Sequence, residues 1–340
     1  MKSVRRGICV VGLLVAMAWV ARGEELYRPV TEIPIGGDGG WDYLTADPAA
    51  HRLYVSHATK VVVIDTQTNL VVGEIADTPG VHGIALAPQL NRGFVSAGRA
   101  NEVNVVDLAT LKTLLKVGTD ENPDAILFEP GRKEVYAFNG RGHSATVFGA
   151  GSDAVVATIP LGGKPEFAQT DVAAGRVFVN IEDQNLVAAI DPAKHDVVAR
   201  WPIAPGESAS GLAIDVAHHR LFAGCENAMM VVLDSTDGRV VASLPAGQGI
   251  DAAAFDPGTQ LAFVSNGRDG TVTVVREETP EKFSVVQTLT TQVNARTMTV
   301  DPATHRIYLT AGTLLPPEPG QRRPRVAPGS VKVLVYGLGG

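Results

Sequence analysis

The amino-acid sequence predicts an all-β protein, a seven-bladed β-propeller with four-stranded blades, in one domain that spans residues 24–340. The main observation is a short motif, an aromatic residue among apolar residues and often after Arg, that occurs seven times. Successive aromatic residues are 40, 42, 42, 44, 41 and 45 positions apart, which is the period of a propeller blade. The seven aromatic residues are Tyr54, Phe94, Tyr136, Phe178, Phe222, Phe263 and Tyr308.

The repeat from Glu166 to Gly206 shows how one blade divides into strands. It holds four short segments rich in alternating or β-branched residues, which we name strands a, b, c and d in chain order. Turns that begin with Asp-Pro recur before strand b, as at Asp47 and Asp301, because Asp bonds to nearby backbone and Pro fixes φ. No stretch shows a helical period of useful length, so the sequence requires no helices.

The last repeat lacks a sequence for its outer strand. It supplies strands a, b and c, and then the chain ends. The segment PVTEIPIGG at residues 29–37 is similar to VVATIPLGG at residues 155–163, which is a strand d with its exit loop. We therefore expect the N-terminal strand to complete the last blade and close the ring, because closure removes an exposed sheet edge.

Five segments identify a known type of repeat: RLYVSH, VVVIDTQTNLVVGEI, NPDAILFEP, GKPEFAQTD and DPATHRIYL. They resemble the YVTN-type β-propeller repeat, and residues 25–340 as a whole resemble the YncE-like family of exported bacterial proteins. The resemblance implies a propeller and export from the cell. It implies no settled chemistry, because propellers host many unrelated activities.

Residues 1–23 have the pattern of an export signal. Basic residues precede an apolar run from 8 to 20, and small residues follow it at the positions that a signal peptidase recognises. The alternative is an N-terminal core strand. The run is too short to cross a bilayer, and no later segment is as apolar, so we expect a periplasmic or secreted protein without a membrane span.

Charge and cysteine content limit the partners further. Removal of residues 1–23, which hold four basic residues and no acidic one, changes the formal charge from −7 to −11. Such an acidic protein should repel nucleic acid, so we expect a small molecule or a protein as partner. Cys225 is the single cysteine left, which excludes an internal disulfide. We expect a monomer.

Polar residues cluster where one rim of the channel should lie. In a propeller strand a lines the channel, and its start shares a rim with the end of strand b. We expect a ligand-binding funnel there, although these residues could also be loop tips around a water-filled channel. The predicted ligand-binding residues are Trp41, Asp42, His57, His82, Asp124, Asn139, Glu166, Asn180, Asp251, Asn266 and Arg296; Ser210 and Cys225 share the same rim.

The chemistry of this rim leaves two functional classes open. We favour an exported ligand-binding or protein-interaction propeller without a cofactor. The alternative is a divalent-metal-dependent hydrolase or lyase at the same mouth, with His57, His82 and Glu166 as candidate metal ligands, because histidines and carboxylates suit first-row metal ions. No H-E-x-x-H spacing, G-x-S-x-G motif or phosphate-binding loop occurs, so no catalytic residue is identified.

One insertion interrupts the repeat, at residues 311–330 between strands b and c of the last blade. Its Pro and Arg content predicts an extended, backbone-solvated loop on the same rim as the funnel. It is either a mobile decoration or a lid or partner arm whose Arg322, Arg323 and Arg325 attract an acidic group.

Overall fold

The computed structural model describes residues 26–318, 320 and 324–339. It contains seven four-stranded antiparallel sheets arranged around a central channel, which confirms the seven-bladed propeller. The proposed export signal at residues 1–23 lies outside the described residues, and so do Arg322 and Arg323 of the loop insertion.

The strands follow the order expected from the repeat, with strand a innermost and strand d outermost. The chain begins with β1 (Tyr27–Pro34), which belongs to the last blade. Blade 1 consists of β2 (Trp41–Asp47), β3 (Arg52–His57), β4 (Lys60–Asp65) and β5 (Leu70–Ile75). Blade 2 consists of β6 (Val81–Ala87), β7 (Arg92–Ala97), β8 (Glu102–Asp107) and β9 (Lys112–Gly118). Blade 3 consists of β10 (Pro123–Glu129), β11 (Glu134–Asn139), β12 (Ser144–Gly149) and β13 (Val155–Pro160).

The remaining blades repeat the pattern with one elaboration in the last. Blade 4 consists of β14 (Pro165–Asp171), β15 (Arg176–Ile181), β16 (Leu186–Asp191) and β17 (Asp196–Pro202). Blade 5 consists of β18 (Ala209–Asp215), β19 (Arg220–Cys225), β20 (Met229–Asp234) and β21 (Val240–Pro245). Blade 6 consists of β22 (Ile250–Asp256), β23 (Leu261–Asn266), β24 (Thr271–Thr279) and β25 (Lys282–Thr290). Blade 7 consists of β26 (Thr297–Asp301), β27 (Arg306–Ala311), β30 (Lys332–Leu338) and β1, and the short strands β28 (Leu314–Leu315) and β29 (Arg325–Val326) pair within its loop.

The N-terminal strand closes the ring as expected. β1 pairs antiparallel with β30, from Tyr27 opposite Leu338 to Pro34 opposite Lys332. The ring of Tyr27 lies edge-to-face on Phe263 of blade 6 with centroids 5.3 Å apart. The Gln287 side chain of blade 6 accepts a hydrogen bond from the Tyr27 amide at 2.8 Å and donates one to its carbonyl at 2.9 Å. β1 therefore completes blade 7 and also ties it to blade 6.

The core lies between the blades. Each strand b is the second strand of its sheet, so both of its faces are covered by neighbouring blades. Its aromatic residue is buried in all seven repeats, which confirms the strand register derived from the repeat period. Phe178 of blade 4 is an example, because it packs with Trp201 of its own blade and with Leu212 and Leu221 of blade 5.

Candidate functional site

The seven strands a bring the starts of their sequences to one rim of the channel. Each innermost strand contacts the innermost strands of both neighbouring blades, so the seven form a closed ring. The first residue of strand a pairs with the last residue of strand b, as in Trp41 opposite His57 and Ile250 opposite Asn266. The structure thus confirms that the starts of strands a and the ends of strands b share a rim.

A β-bulge at the start of strand a aims the polar side chains. In blade 1 the pairing with strand b gains one extra residue between Trp41 and Leu44, and the same shift recurs in blades 2 to 6. A bulge bends the strand and turns a side chain out of the normal alternation, which is why bulges often lie beside functional sites. The second residue of each of these strands lies inside the bulge. These residues are Asp42, His82, Asp124, Glu166, Ser210 and Asp251.

Three of these side chains from neighbouring blades meet at the channel mouth. The Nδ1 atom of His82 lies 2.7 Å from Oδ2 of Asp42 and 3.4 Å from Oδ1 of Asp124. One ligand atom from each of the three residues falls within 4.8 Å of the others. The side chains of Asp42, His82 and Asp124 are 18%, 24% and 15% exposed, so the group is largely buried yet open to solvent on one side. We call Asp42, His82 and Asp124 the mouth triad.

A second group lies beside the mouth triad, at the junction of blades 6, 7 and 1. Nη1 of Arg296, just before β26, lies 2.5 Å from Oδ2 of Asp251, and its Nη2 donates to the carbonyl oxygen of Trp41 at 2.8 Å. The Thr297 hydroxyl donates to the carbonyl oxygen of Asp42 at 2.9 Å. Arg296 and Thr297 therefore connect blade 7 to blades 6 and 1, the point at which the ring of blades starts and ends.

An aromatic pair lies next to the polar ring inside the channel. Tyr43 reaches from blade 1 to blade 4, where its hydroxyl lies 3.4 Å from Oε2 of Glu166. Its ring lies edge-to-face on Phe167 with centroids 5.0 Å apart. The other Glu166 oxygen lies 2.6 Å from Nζ of Lys164. The sequence analysis missed Tyr43 and Lys164; Tyr43 lies inside the bulge beside Asp42, and strict alternation along a strand would have turned it away.

Burial and mutual charge shift the pKa values of these groups strongly. Burial raises the pKa of Asp124 to about 7 against the opposing charge of His82. Burial, with the charge of Asp124, raises the pKa of Glu166 to about 8, although Lys164 opposes this. Burial alone would lower the pKa of His82, but its hydrogen bond with Asp42 and the charge of Asp124 outweigh burial and raise the pKa to about 9. Burial thus favours the protonated forms of Asp124 and Glu166 near neutral pH, although His82 and Lys164 lie beside them.

Among the cavities that open on this rim, two have volumes of about 350 Å³. The lining of one of them includes Asp42, His82, Arg99 and Arg141. Among the residues that the structure describes, no carboxylate lies within salt-bridge distance of either arginine. A second cavity of about 350 Å³ is lined by Asp251, Arg296, Arg268 and Leu314. Both cavities have the size of a small-molecule site. The sequence analysis missed Arg99 and Arg141, which lie in the b–c loops of blades 2 and 3.

The predicted site residues at the ends of strands b are buried parts of the scaffold. His57 bonds through Nδ1 to the carbonyl oxygen of Gly40 at 3.0 Å and lies under the loop at Gly37, where a side chain would collide with it. It is not part of the mouth triad, so His57, His82 and Glu166 do not form the metal-ligand set that the sequence suggested. Cys225 is buried, and burial raises the pKa of its thiol to about 12, which makes it a poor nucleophile.

The three predicted asparagines also bond within the scaffold. The Asn139 amide donates to the hydroxyls of Ser144 and Thr146, both at 3.0 Å. The Asn266 amide makes the equivalent bonds in blade 6, to Thr271 at 3.0 Å and Thr273 at 2.9 Å. Asn180 instead donates to the carbonyl oxygens of residues 210 and 211 in blade 5, at 3.1 and 2.9 Å. These asparagines hold strands and blades in place, and their side chains are not exposed to a ligand at the mouth.

The loop insertion lies beside the mouth. Its Gly312 packs against the ring of the buried Trp41, where a Cβ atom would come within 2.8 Å of the indole. The Gly312 carbonyl oxygen accepts hydrogen bonds from Gln292 at 3.1 Å and Asn294 at 2.8 Å. The expected extended loop thus includes a short strand pair, β28 with β29. Arg325 is paired with Glu318 at 2.7 Å within the loop.

The fold and its polar mouth together define a seven-bladed β-propeller, a class that typically serves as a binding or interaction scaffold. Among the described residues, no helix is long and apolar enough to cross a membrane. No family model matches the chain.

Comparison with known proteins supports the resemblance to the YncE-like family over part of the chain. Two proteins named uncharacterized protein YncE, from Salmonella typhimurium and Salmonella typhi, are each 28% identical over 95 residues. The match covers 27% of this chain and 27% of each relative, so it spans only about a quarter of their length.

Solved structures share the fold. The hydrazine synthase structure from Kuenenia stuttgartiensis matches with a TM-score of 0.68 and 17% identity, over 80% of this chain and 92% of that one. The WD40 repeats of RRP9 match with a TM-score of 0.75 and 10% identity, over 92% and 97% of the two chains. The U3-55K structure matches with a TM-score of 0.74 and 10% identity, over 91% and 98%. At these identities the likeness concerns the fold alone.

Proposed function

We propose that this protein is an exported binding propeller that takes up a small polar ligand at the mouth of its channel. The observation that supports this most is the mouth triad, in which three neighbouring blades bring Asp42, His82 and Asp124 within 4.8 Å beside a cavity of about 350 Å³. Export, and a periplasmic or secreted location, rest on the sequence pattern of residues 1–23. If the ligand is a protein, we expect it to insert a charged side chain into the same cavity.

The charges around the cavity favour a ligand that carries both signs. Burial raises the pKa values of Asp124 and Glu166 despite the charges of His82 and Lys164, so a further cationic group near them would stabilise their ionised forms. Arg99 and Arg141, which also line the cavity, carry guanidinium groups suited to a carboxylate or phosphate. A zwitterion such as a free amino acid or a betaine fits both features. Its binding should release protons from the mouth.

The test is a thermal-shift screen of free amino acids and small betaines, followed by calorimetric titration of the compound that stabilises most. Asp42→Asn and Arg99→Gln should each weaken its binding at least about tenfold, because each removes one charged contact. His51→Asn is the matched control, since His51 is exposed in a turn on the opposite rim with a φ of 52° that Asn also adopts. Its affinity should equal that of the unaltered protein. Equal affinity in Asp42→Asn, or no stabilisation by any compound in the panel, would contradict the proposal.

A second candidate is a divalent-metal-dependent hydrolase or lyase at the same mouth. Its supporting observation is that the mouth triad offers one imidazole nitrogen and two carboxylates, a donor set that suits a first-row ion, beside two arginines that could hold an anionic substrate. One tightly held metal ion per chain that is lost in His82→Ala, together with chelator-sensitive cleavage of a phosphate or carboxylate ester, would favour this function. Full ligand binding in the presence of a chelator would favour the binding protein.

A further inference from the structure

A second cluster of ligand-type side chains lies at the opposite end of the channel-lining strands. Asp215 is the last residue of β18 in blade 5, and His218 lies in the turn that follows. Glu277 comes from β24 of blade 6. One ligand atom from each residue falls within 4.8 Å of the other two. Because strand a starts at the mouth and ends here, this cluster is on the other rim from the proposed binding site.

The atoms of this cluster are close together without bonding well to one another. Nδ1 of His218 lies 2.7 Å from Oδ2 of Asp215 and 3.0 Å from Oε1 of Glu277. These three atoms are buried, and so is Oε2 of Glu277, yet none of the four has a partner at hydrogen-bonding geometry. Buried ligand-type atoms that lie this close together without hydrogen-bond partners have the arrangement of ligands around a common centre.

The two carboxylates of this cluster are buried, so keeping both ionised without a compensating positive charge would cost free energy. Glu277 is 4% exposed and Asp215 is 2% exposed, and two facing carboxylates in such a place need a positive charge or a proton. The nearby Arg220 is bonded elsewhere, to Asp234 and Glu281 at 2.9 Å each. His218 is the exposed member of the cluster, with 39% of its side chain open to solvent, and it gives an ion a route in.

We propose that Asp215, His218 and Glu277 form a divalent-cation site that joins blades 5 and 6. One imidazole nitrogen and carboxylate oxygens suit Zn²⁺ or Mn²⁺. The spacing of 2.7 and 3.0 Å fits six-coordinate geometry best, because ligands at right angles with bonds of about 2.1 Å lie about 3 Å apart, whereas tetrahedral ligands lie about 3.4 Å apart. The site is enclosed on most sides and lies far from the mouth. A bound ion would therefore stabilise the contact between blades 5 and 6.

The competing arrangement is a shared proton. Burial, with the charge of Asp215, raises the pKa of Glu277 to about 7, so a protonated Glu277 beside an ionised Asp215 would also remove the repulsion. The two arrangements differ in their response to metal. A shared proton needs no ion, and Glu277→Gln would imitate it at every pH.

The test is equilibrium dialysis against Zn²⁺ followed by elemental analysis, in a protein that already carries His82→Ala and Asp124→Asn so that the mouth triad does not contribute. This background protein should retain one equivalent of Zn²⁺ per chain, and Zn²⁺ should raise its melting temperature. Adding Glu277→Gln or His218→Ala should weaken Zn²⁺ binding at least about tenfold and abolish the rise. His219→Asn, an exposed neighbour in the same turn, should change neither result.

Two outcomes would overturn the proposal. The first is a background protein that retains less than about a tenth of an equivalent of Zn²⁺ after dialysis. The second is unchanged Zn²⁺ binding in both Glu277→Gln and His218→Ala. A rise in stability of Glu277→Gln above pH 7 without any effect of Zn²⁺ would assign the cluster to the shared proton.

Discussion

Deletion of residues 24–35 is expected to lower the free energy of unfolding by several kcal/mol, a large part of the roughly 5–15 kcal/mol that holds a domain folded. The deletion removes β1, which pairs along its length with β30, and leaves the last blade with an exposed edge. It also removes the fully buried Tyr27 and the two hydrogen bonds that Gln287 makes to its backbone. Urea unfolding of the truncated protein and of the protein of residues 24–340 measures the difference.

The matched control for this deletion is Val30→Thr in the same strand. Val30 is 48% exposed, so the substitution keeps a β-branched residue and should change stability by no more than about 0.5 kcal/mol. If the truncated protein unfolded at the same urea concentration as the protein of residues 24–340, β1 would not be the strand that closes the ring.

Phe178→Ala is expected to cost about 3–5 kcal/mol, the usual loss for a large aromatic residue removed from a core. Phe178 is 0% exposed, and its ring centroid lies 5.8 Å from that of Trp201. It also packs with Leu212 and Leu221, so the cavity would open between two blades that cannot collapse together without moving the whole ring.

Val198→Ala is the matched control for Phe178→Ala, because Val198 lies in strand d of the same blade and is 43% exposed. Its substitution should change stability by less than about 1 kcal/mol. A cost below about 1 kcal/mol for Phe178→Ala would mean that the aromatic residues of strands b do not pack between blades.

The repeat period carries the information that made the fold predictable. Each blade buries its strand b on both sides, so every repeat needs an aromatic residue such as Phe178 or Tyr308 at the same position, and the spacing counts the blades. Ring closure followed from similarity between the first strand and a strand d elsewhere. The starts of strands a were placed correctly on one rim because one topology governs all seven blades.

The ends of strands b were harder to interpret, because a polar residue there can turn outward or bond inside its own hairpin. Asn139 and Asn266 bond inside theirs, and both are followed five and seven positions later by Ser or Thr. That spacing is visible in the sequence and could have identified them as scaffold residues. Nothing comparable marks His57, whose partner is a backbone carbonyl.

Contacts between blades on the opposite rim could not be derived from the sequence. His305 lies in a turn before strand b of blade 7, and its Nδ1 lies 2.7 Å from Oδ2 of Asp256 in the preceding blade. His218, which carried no sequence signal, meets Glu277 of the next blade. The repeat pattern specifies strands within a blade, but the rotation between neighbouring blades decides which turn residues touch.

The central claim is that charged residues at the starts of strands a act on one another as one site around His82. The most direct test is an NMR titration of the His82 imidazole in chelator-treated protein. The pKa should be about 9 and should fall in Asp42→Asn, because the hydrogen bond from Nδ1 to Asp42 is the chief influence that raises it. The stability that His82 contributes is then fully present below pH 6.5 and is lost as the pH rises through about 9. A pKa at or below 6.5 that is unaffected by Asp42→Asn would contradict the claim, because burial without the two carboxylates lowers the pKa of a histidine.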